Sequence, residues 1–301
     1  MNNKIMKWSL LLFCIGVLIV ACEPKDLSVI KTDAQLKSVS SDFVFTEGPA
    51  ADKAGNVYFT DQPNNRILKW NTNDQIEVFM ENCGRSNGLY FDLNGKLLAC
   101  ADENNQLWSI DIETQEVEVL VENFDGFKLN GPNDLWVAPN GGIYFTDPYY
   151  KRDYWVDASK ELEKECVYYI LPDRSKAILI EDQVVKPNGI IGTRDGKTLY
   201  VADIGDSKTY RYTINPDGTL ANKTLFCEMG SDGMTLDERG NVYLTNNGVF
   251  VFNNKGEQIE HIAIDQPWTA NVTFGGANNS TLFITAMNSV YTLEMNVKGG
   301  F

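Results

Sequence analysis

One histidine, His261, is all that the chain of 301 residues contains. A Ser-His-Asp arrangement needs an imidazole next to its nucleophile. A zinc site normally recruits imidazole or thiolate. His261 falls in a stretch read as an outer strand, Gln258 to Ile262, so it serves neither purpose and reads as a surface residue. Cysteines are few and scattered. Beyond Cys14 and Cys22 they are Cys83, Cys100, Cys166 and Cys227, with no CxxC spacing, which argues against a zinc ribbon, a thioredoxin-like motif or a disulfide framework and for small buried thiols. Basic residues are outnumbered, 26 Lys and Arg against 41 Asp and Glu, for a net charge of −15, which argues against a nucleic-acid partner.

The apolar run from Trp8 to Val20, preceded by Lys4 and Lys7, is too short to span a bilayer comfortably and reads as an export signal. Its end, Ile19-Val20-Ala21-Cys22, resembles a bacterial lipoprotein box, in which Cys22 becomes the lipidated first residue. Residues 1–21 are thus expected to be a signal peptide, 22–34 a tether, and 35–301 one domain. Cleavage would remove Lys4 and Lys7 and take the net charge to −17. The expected location is the bacterial cell envelope, touching the membrane only through the anchor, as a monomer.

What the sequence has in quantity is repetition. Glu47, Asn87, Asn133, Asn188, Asp232 and Asn271 each open an apolar stretch, and a partner strand starts eight residues later at Gly55, Gly95, Gly141, Gly196 and Gly240, or nine later at Ser280. The partner strands follow one another at intervals of 40, 46, 55, 44 and 40 residues, the range of propeller blades. Each unit continues with buried-strand composition, as in Val57 to Asp61 or Ile143 to Asp147, and two more strands. The sixth unit runs out of chain before its fourth strand, but Gln35 to Val39 resembles Gln75 to Phe79, so an amino-terminal strand closes the ring and removes the free edge. The expected fold is all-β, a six-bladed β-propeller. The long third interval comes from residues 149–166, which carry Tyr149, Tyr150, Tyr154, Trp155 and many charges; they would either fold over a channel mouth or decorate its rim.

In radial copies of one sheet, the same position points at the same axis, so these six oxygen-bearing side chains converge. Asn-Gly and Asp-Gly pairs are ordinary turn formers, but Glu47 has no turn propensity to explain it. An oxygen-only set with the two carboxylates of Glu47 and Asp232 suits a hard cation of the Ca²⁺ type or another divalent ion.

Glu47-Gly48-Pro49, Asn130-Gly131-Pro132-Asn133-Asp134, Tyr144-Phe145-Thr146-Asp147-Pro148, Pro187-Asn188-Gly189 and Ser231-Asp232-Gly233-Met234 together resemble the gluconolactonase and senescence-marker-protein (regucalcin) family across essentially the whole of the expected mature chain. The resemblance implies a divalent cation in the central channel and hydrolysis of lactones or related esters. It assigns Glu47, Asn188 and Asp232 as metal ligands, Asn133 as a ligand or substrate contact, and Asp232 as the carboxylate of proton transfer or nucleophilic attack. Asn87 is placed with Asn133 at the substrate. The chain also departs from the family: a Cys-Glu-His-Gly-Asn-Arg stretch reads Cys100-Ala101-Asp102-Glu103-Asn104-Asn105 here, and a sugar-gripping Arg falls at Gly131, with Lys128 the nearest basic substitute for contacting substrate. A calcium-dependent lactonase acting on a sugar lactone is therefore the leading expectation. A non-catalytic carbohydrate-binding propeller and an arylesterase or phosphotriesterase-like hydrolase remain open.

Overall fold

The computed structural model describes residues 28–300; the expected signal peptide, Cys22 and the start of the tether lie outside the described residues. Six four-stranded antiparallel sheets are arranged as a β-propeller. Five consist of consecutive strands, and the sixth is completed by Lys37–Ser40, which pairs with Ser289–Glu294. The first blade is bonded to the last: Thr46 donates its N–H to the Met287 carbonyl (2.7 Å) and its hydroxyl to the Ser289 carbonyl (2.9 Å). Closure leaves the ring without the unpaired seam that an open array exposes. The described end of the expected tether lies against the sixth blade, where Val29 is buried and Ile30 bridges Met295.

Six innermost strands surround the axis: Thr46–Ala51, Ser86–Phe91, Leu135–Val137, Pro187–Gly192, Met234–Leu236 and Asn271–Gly275. In the first, second and fourth blades the expected turn residue sits in a β-bulge rather than a turn. Pairing advances three residues against two between Glu47 and Ala50, Ser86 and Leu89, and Pro187 and Ile190. A bulge bends its strand and re-aims one side chain, here the axial one.

Two side chains of the second strands hold these positions. Thr60 and Thr146 donate their hydroxyls to the backbone carbonyls of Asn87 (3.2 Å) and Asn188 (2.7 Å) in the next blade. Asp61, Asp147 and Asp203 each accept two successive backbone N–H groups from the loop before their own inner strand. Between blades the core falls into several aromatic-rich clusters, with Tyr144, Tyr168, Tyr169, Tyr243, Phe59 and Phe283 fully buried. Each such side chain contributes about 1.5–3 kcal/mol by leaving water. Cys83, Cys100, Cys166 and Cys227 are free and buried, in keeping with their scattered spacing.

Candidate metal centre and active site

Glu47, Asn87, Asn133, Asn188 and Asn271 are all buried, 6 % exposed or less, and Asp232 is partly exposed. Burial of so many unbranched polar side chains costs free energy unless each finds a partner. The Glu47 carboxyl accepts the Gly48 N–H at 2.9 Å. Gly48 is required there: its φ is +42°, and a Cβ would lie 2.1 Å from the Asn87 carbonyl oxygen of the next blade. The Asn188 amide donates to the Tyr150 hydroxyl at 3.0 Å, and Asp232 accepts from the Trp268 indole at 2.6 Å.

Two polar atoms are left over. Asn87 Oδ1 and Asn188 Oδ1 are buried without a hydrogen-bond partner. Electrostatics point the same way. Burial, reinforced by the neighbouring Asp232 charge, raises the Glu47 carboxyl well above its ordinary range. Burial also raises Asp232 to about 6, opposed by the Trp268 and Asn188 hydrogen bonds and by the Arg152 charge. Two adjacent carboxyls in protein surroundings resist double ionisation unless a cation compensates them. Orphaned amide oxygens beside such a pair are the donors that a hard cation lacks when it leaves water. The residues therefore fit a divalent ion held by Glu47, Asn188 and Asp232, with Asn133 adjacent. Among the described residues there is no group of three His, Cys, Asp or Glu disposed for a metal, so any such site rests on two carboxylates plus amides.

Lys128 lies elsewhere. Its ammonium donates to the Asp157 carbonyl at 2.9 Å and pairs with the Asp157 carboxylate at 3.6 Å, and its recorded contacts all go to the 149–166 insertion. His261 is exposed and stacks on Phe250 in the outer strand.

Several residues beside the axis were not picked out by the repeat. The 149–166 insertion leaves the third blade and reaches both neighbours: Tyr150 touches Asn188 in the fourth, while Arg152 Nε (2.7 Å), the Tyr154 hydroxyl (2.5 Å) and the Trp155 indole (2.7 Å, to the carbonyl) converge on Asp102 in the second. The insertion thus covers the mouth. Its signal in the sequence was the density of aromatic and charged residues in the longest interval. Trp268, three residues before Asn271, carries no periodic signal. Asp134 follows Asn133; it is buried, and burial lifts its carboxyl to about 8 despite the Leu135 N–H it accepts.

A cavity of about 810 Å³ occupies the other end of the channel, lined by later residues of the same inner strands, among them Tyr90, Trp136, Ile190, Met234 and Val272, with Asp134 at its inner end. Glu47, Asn87, Asn133, Asn188 and Asp232 are not among its walls, but Asn271, the sixth axial residue, is, so the cavity reaches the axial ring at that blade.

Comparison with known proteins gives the family. The SMP-30/Gluconolactonase/LRE-like region matches residues 45–288, and the chain belongs to that family. It is 27 % identical over 307 residues to a gluconolactonase of Zymomonas mobilis, covering 92 % of this chain and 85 % of that one. The solved structure of a gluconolactonase from Xanthomonas campestris superimposes with a TM-score of 0.83 at 28 % identity, covering 89 % of this chain and 91 % of that one. A calcium-binding regucalcin structure from Agrobacterium tumefaciens shares the fold, with a TM-score of 0.76 at 18 % identity over 89 % of this chain and 96 % of that one.

Proposed function

We propose that this member of the SMP-30/gluconolactonase/LRE-like family is a divalent-metal-dependent lactonase, with calcium the fitting ion and sugar lactones the substrate class. The observation that carries the reading is the Glu47–Asp232 carboxyl pair beside the unpartnered Asn87 and Asn188 amide oxygens. Glu47, Asn133, Asn188 and Asp232 would hold the ion. When bound, such an ion supplies Lewis-acid polarisation of a carbonyl and stabilisation of the charge that develops on its oxygen.

The chain's own residues account for the rest. Trp268 holds one oxygen of Asp232 at 2.6 Å, and Asn188 and Glu47 also hydrogen-bond to the carboxylate, so its position at the mouth is held from more than one blade. As a base, Asp232 takes a proton from water while the water oxygen bonds to the acyl carbon; the ring C–O bond breaks, and the proton passes to the departing ring oxygen. Direct attack by the Asp232 carboxylate, followed by hydrolysis of the acyl-enzyme, uses the same geometry. Asn133 and Asn87 border the space where the ring would sit, and the Tyr150-to-Trp155 segment limits water around it. Export and anchoring through Cys22 belong to the same reading and are checked by labelling the expressed chain with a fatty acid, with Cys22→Ser unlabelled.

The experiment is hydrolysis of a panel of sugar and aliphatic lactones by the full chain, followed by proton release, with calcium and after chelation. Calcium-dependent turnover is expected. A folded protein that binds calcium and hydrolyses no lactone overturns the reading in favour of a binding propeller, and turnover of only aryl esters or phosphotriesters moves the substrate class.

A further inference from the structure

The insertion brings positive charge to a mouth otherwise built from acids and amides. Arg152 is three-quarters covered, with a side-chain exposure of 24 %, and its Nε is locked to Asp102 at 2.7 Å. Asp102 is itself buried and oriented by Gln62 (3.0 Å) and Tyr154 (2.5 Å). Held at Nε, the guanidinium keeps its two terminal amino groups available, and no hydrogen bond from them to the described residues is recorded. On one side of Tyr150 lies Arg152, 5.5 Å from the ring centroid; Lys186 lies 4.5 Å from the same centroid. The Tyr150 hydroxyl is the partner of Asn188. Lys186 donates to the Tyr149 carbonyl at 3.1 Å and forms no ion pair among the described residues, in a chain whose net charge is −15.

The space beside Gly131 explains why the cation comes from the insertion. Gly131 has φ +147°, and a Cβ there would lie 3.0 Å from Asp102 Oδ1 and 3.3 Å from the Trp155 ring, so the insertion fills the volume that a long side chain at 131 would need. The charge balance then decides what the mouth attracts. Glu47 and Asp232 would match a divalent ion, Arg152 is paired with Asp102, and Lys186 has no carboxylate partner among the described residues, so Lys186 is the cation that an anionic substrate could balance, with Asp134 and Glu165 the other acids near the mouth and Tyr150. Guanidinium groups bind carboxylates through paired, charge-assisted hydrogen bonds, which a neutral hydroxyl matches with only one weaker bond.

Resting on the lactonase reading of this site, we infer that Arg152 and Lys186 form an anion clamp and that the substrate is a lactone carrying a second, ionised carboxylate, such as the lactone of an aldaric acid. Arg152 grips the carboxylate, Lys186 adds field strength, and Asp102 is the positioning residue that aims Arg152.

The test compares the γ-lactones of D-glucaric and D-gluconic acid, which share a ring and differ in a terminal carboxylate against a hydroxymethyl group. The calcium-loaded full chain is expected to favour the glucaric lactone in kcat/KM, and Arg152→Gln to lose roughly 10- to 100-fold on it while changing the gluconic lactone far less. Lys186→Met shifts the same ratio by a smaller factor. Lys164→Met makes the same charge change on the insertion at an exposed residue paired with Asp182, and is expected to leave the ratio unchanged. Equal losses on both lactones in Arg152→Gln, or no preference in the parent chain, overturn the inference. Binding of tetrahydropyran carboxylate and of tetrahydropyranyl methanol, measured by calorimetry with and without calcium, separates the two levels. If no lactone is hydrolysed but the carboxylate binds more tightly and Arg152→Gln abolishes the difference, the lactonase reading falls and the clamp stands; without an Arg152-dependent preference, the clamp falls whatever is hydrolysed.

Discussion

The two ends of the central channel are built by the same six strands and differ in chemistry. At one end Glu47, Asn87, Asn133, Asn188 and Asp232 crowd carboxyls and amides together under the insertion. At the other, a cavity of about 810 Å³ has Tyr90, Trp136, Ile190 and Met234 in its walls together with Asp92, Asp134, Arg194 and Asn271. A few residues along each inner strand separate the two. The difference teaches where the chemistry is concentrated: the mouth holds two carboxyls kept above their ordinary range by burial and two amide oxygens without partners, whereas aromatic and aliphatic side chains make up much of the cavity wall.

That contrast can be broken most sharply at Asp232. Asp232→Asn keeps the shape and the Trp268 contact but removes the base or nucleophile, and turnover on the preferred lactone is expected to drop by about a thousandfold with the fold maintained by circular dichroism. Near-parent activity would move the chemistry away from the mouth. At the cavity end the expectation reverses. Trp136→Ala empties a buried ring and should cost about 3 kcal/mol of stability by denaturant unfolding, while kcat of the folded protein changes little. A loss of kcat larger than the loss of stability would make the two ends functionally one.

The acid pair also gives the mouth a pH signature. Asp232 holds its proton to about 6 in the fold against an ordinary 3.8, so between these values the unfolded chain releases a proton that the folded chain keeps. Stability of the metal-free protein therefore falls as pH rises through that window, by about 3 kcal/mol from this group. Calcium, which needs the ionised pair, should restore it above the window and release a proton on binding. Thermal melts from acid to neutral pH, with and without calcium, check this, and Asp232→Asn should flatten the metal-free slope. The smallest expected effect is at Thr146, whose hydroxyl supports the Asn188 carbonyl from the neighbouring blade. Thr146→Val should cost about 1 kcal/mol and weaken calcium binding a few-fold by titration calorimetry.

Much of this was legible in the chain. The eight-residue spacing from Glu47, Asn87, Asn133, Asn188 and Asp232 to their glycines marked the inner strands, and the resemblance of Gln35 to Val39 to an outer strand anticipated ring closure, observed as Lys37–Ser40 on Ser289–Glu294. The bulges were not legible, because the extra residue becomes visible only when two strands are set in register. Lys128 was chosen for its nearness to Gly131 in sequence, but the insertion turns its ammonium to Asp157, and the cations beside Tyr150 are Arg152 and Lys186.

The sequence by itself determined the all-β repeat, the six innermost strands and the oxygen-bearing side chains at their starts, because strand alternation and radial repetition are local patterns that one chain carries along its length. Only the tertiary structure decided that residues 149–166 cover the mouth, that Trp268 holds Asp232 and that Asp102 aims Arg152. Those contacts join blades distant in sequence, and their geometry follows from how the ring closes rather than from any spacing along the chain.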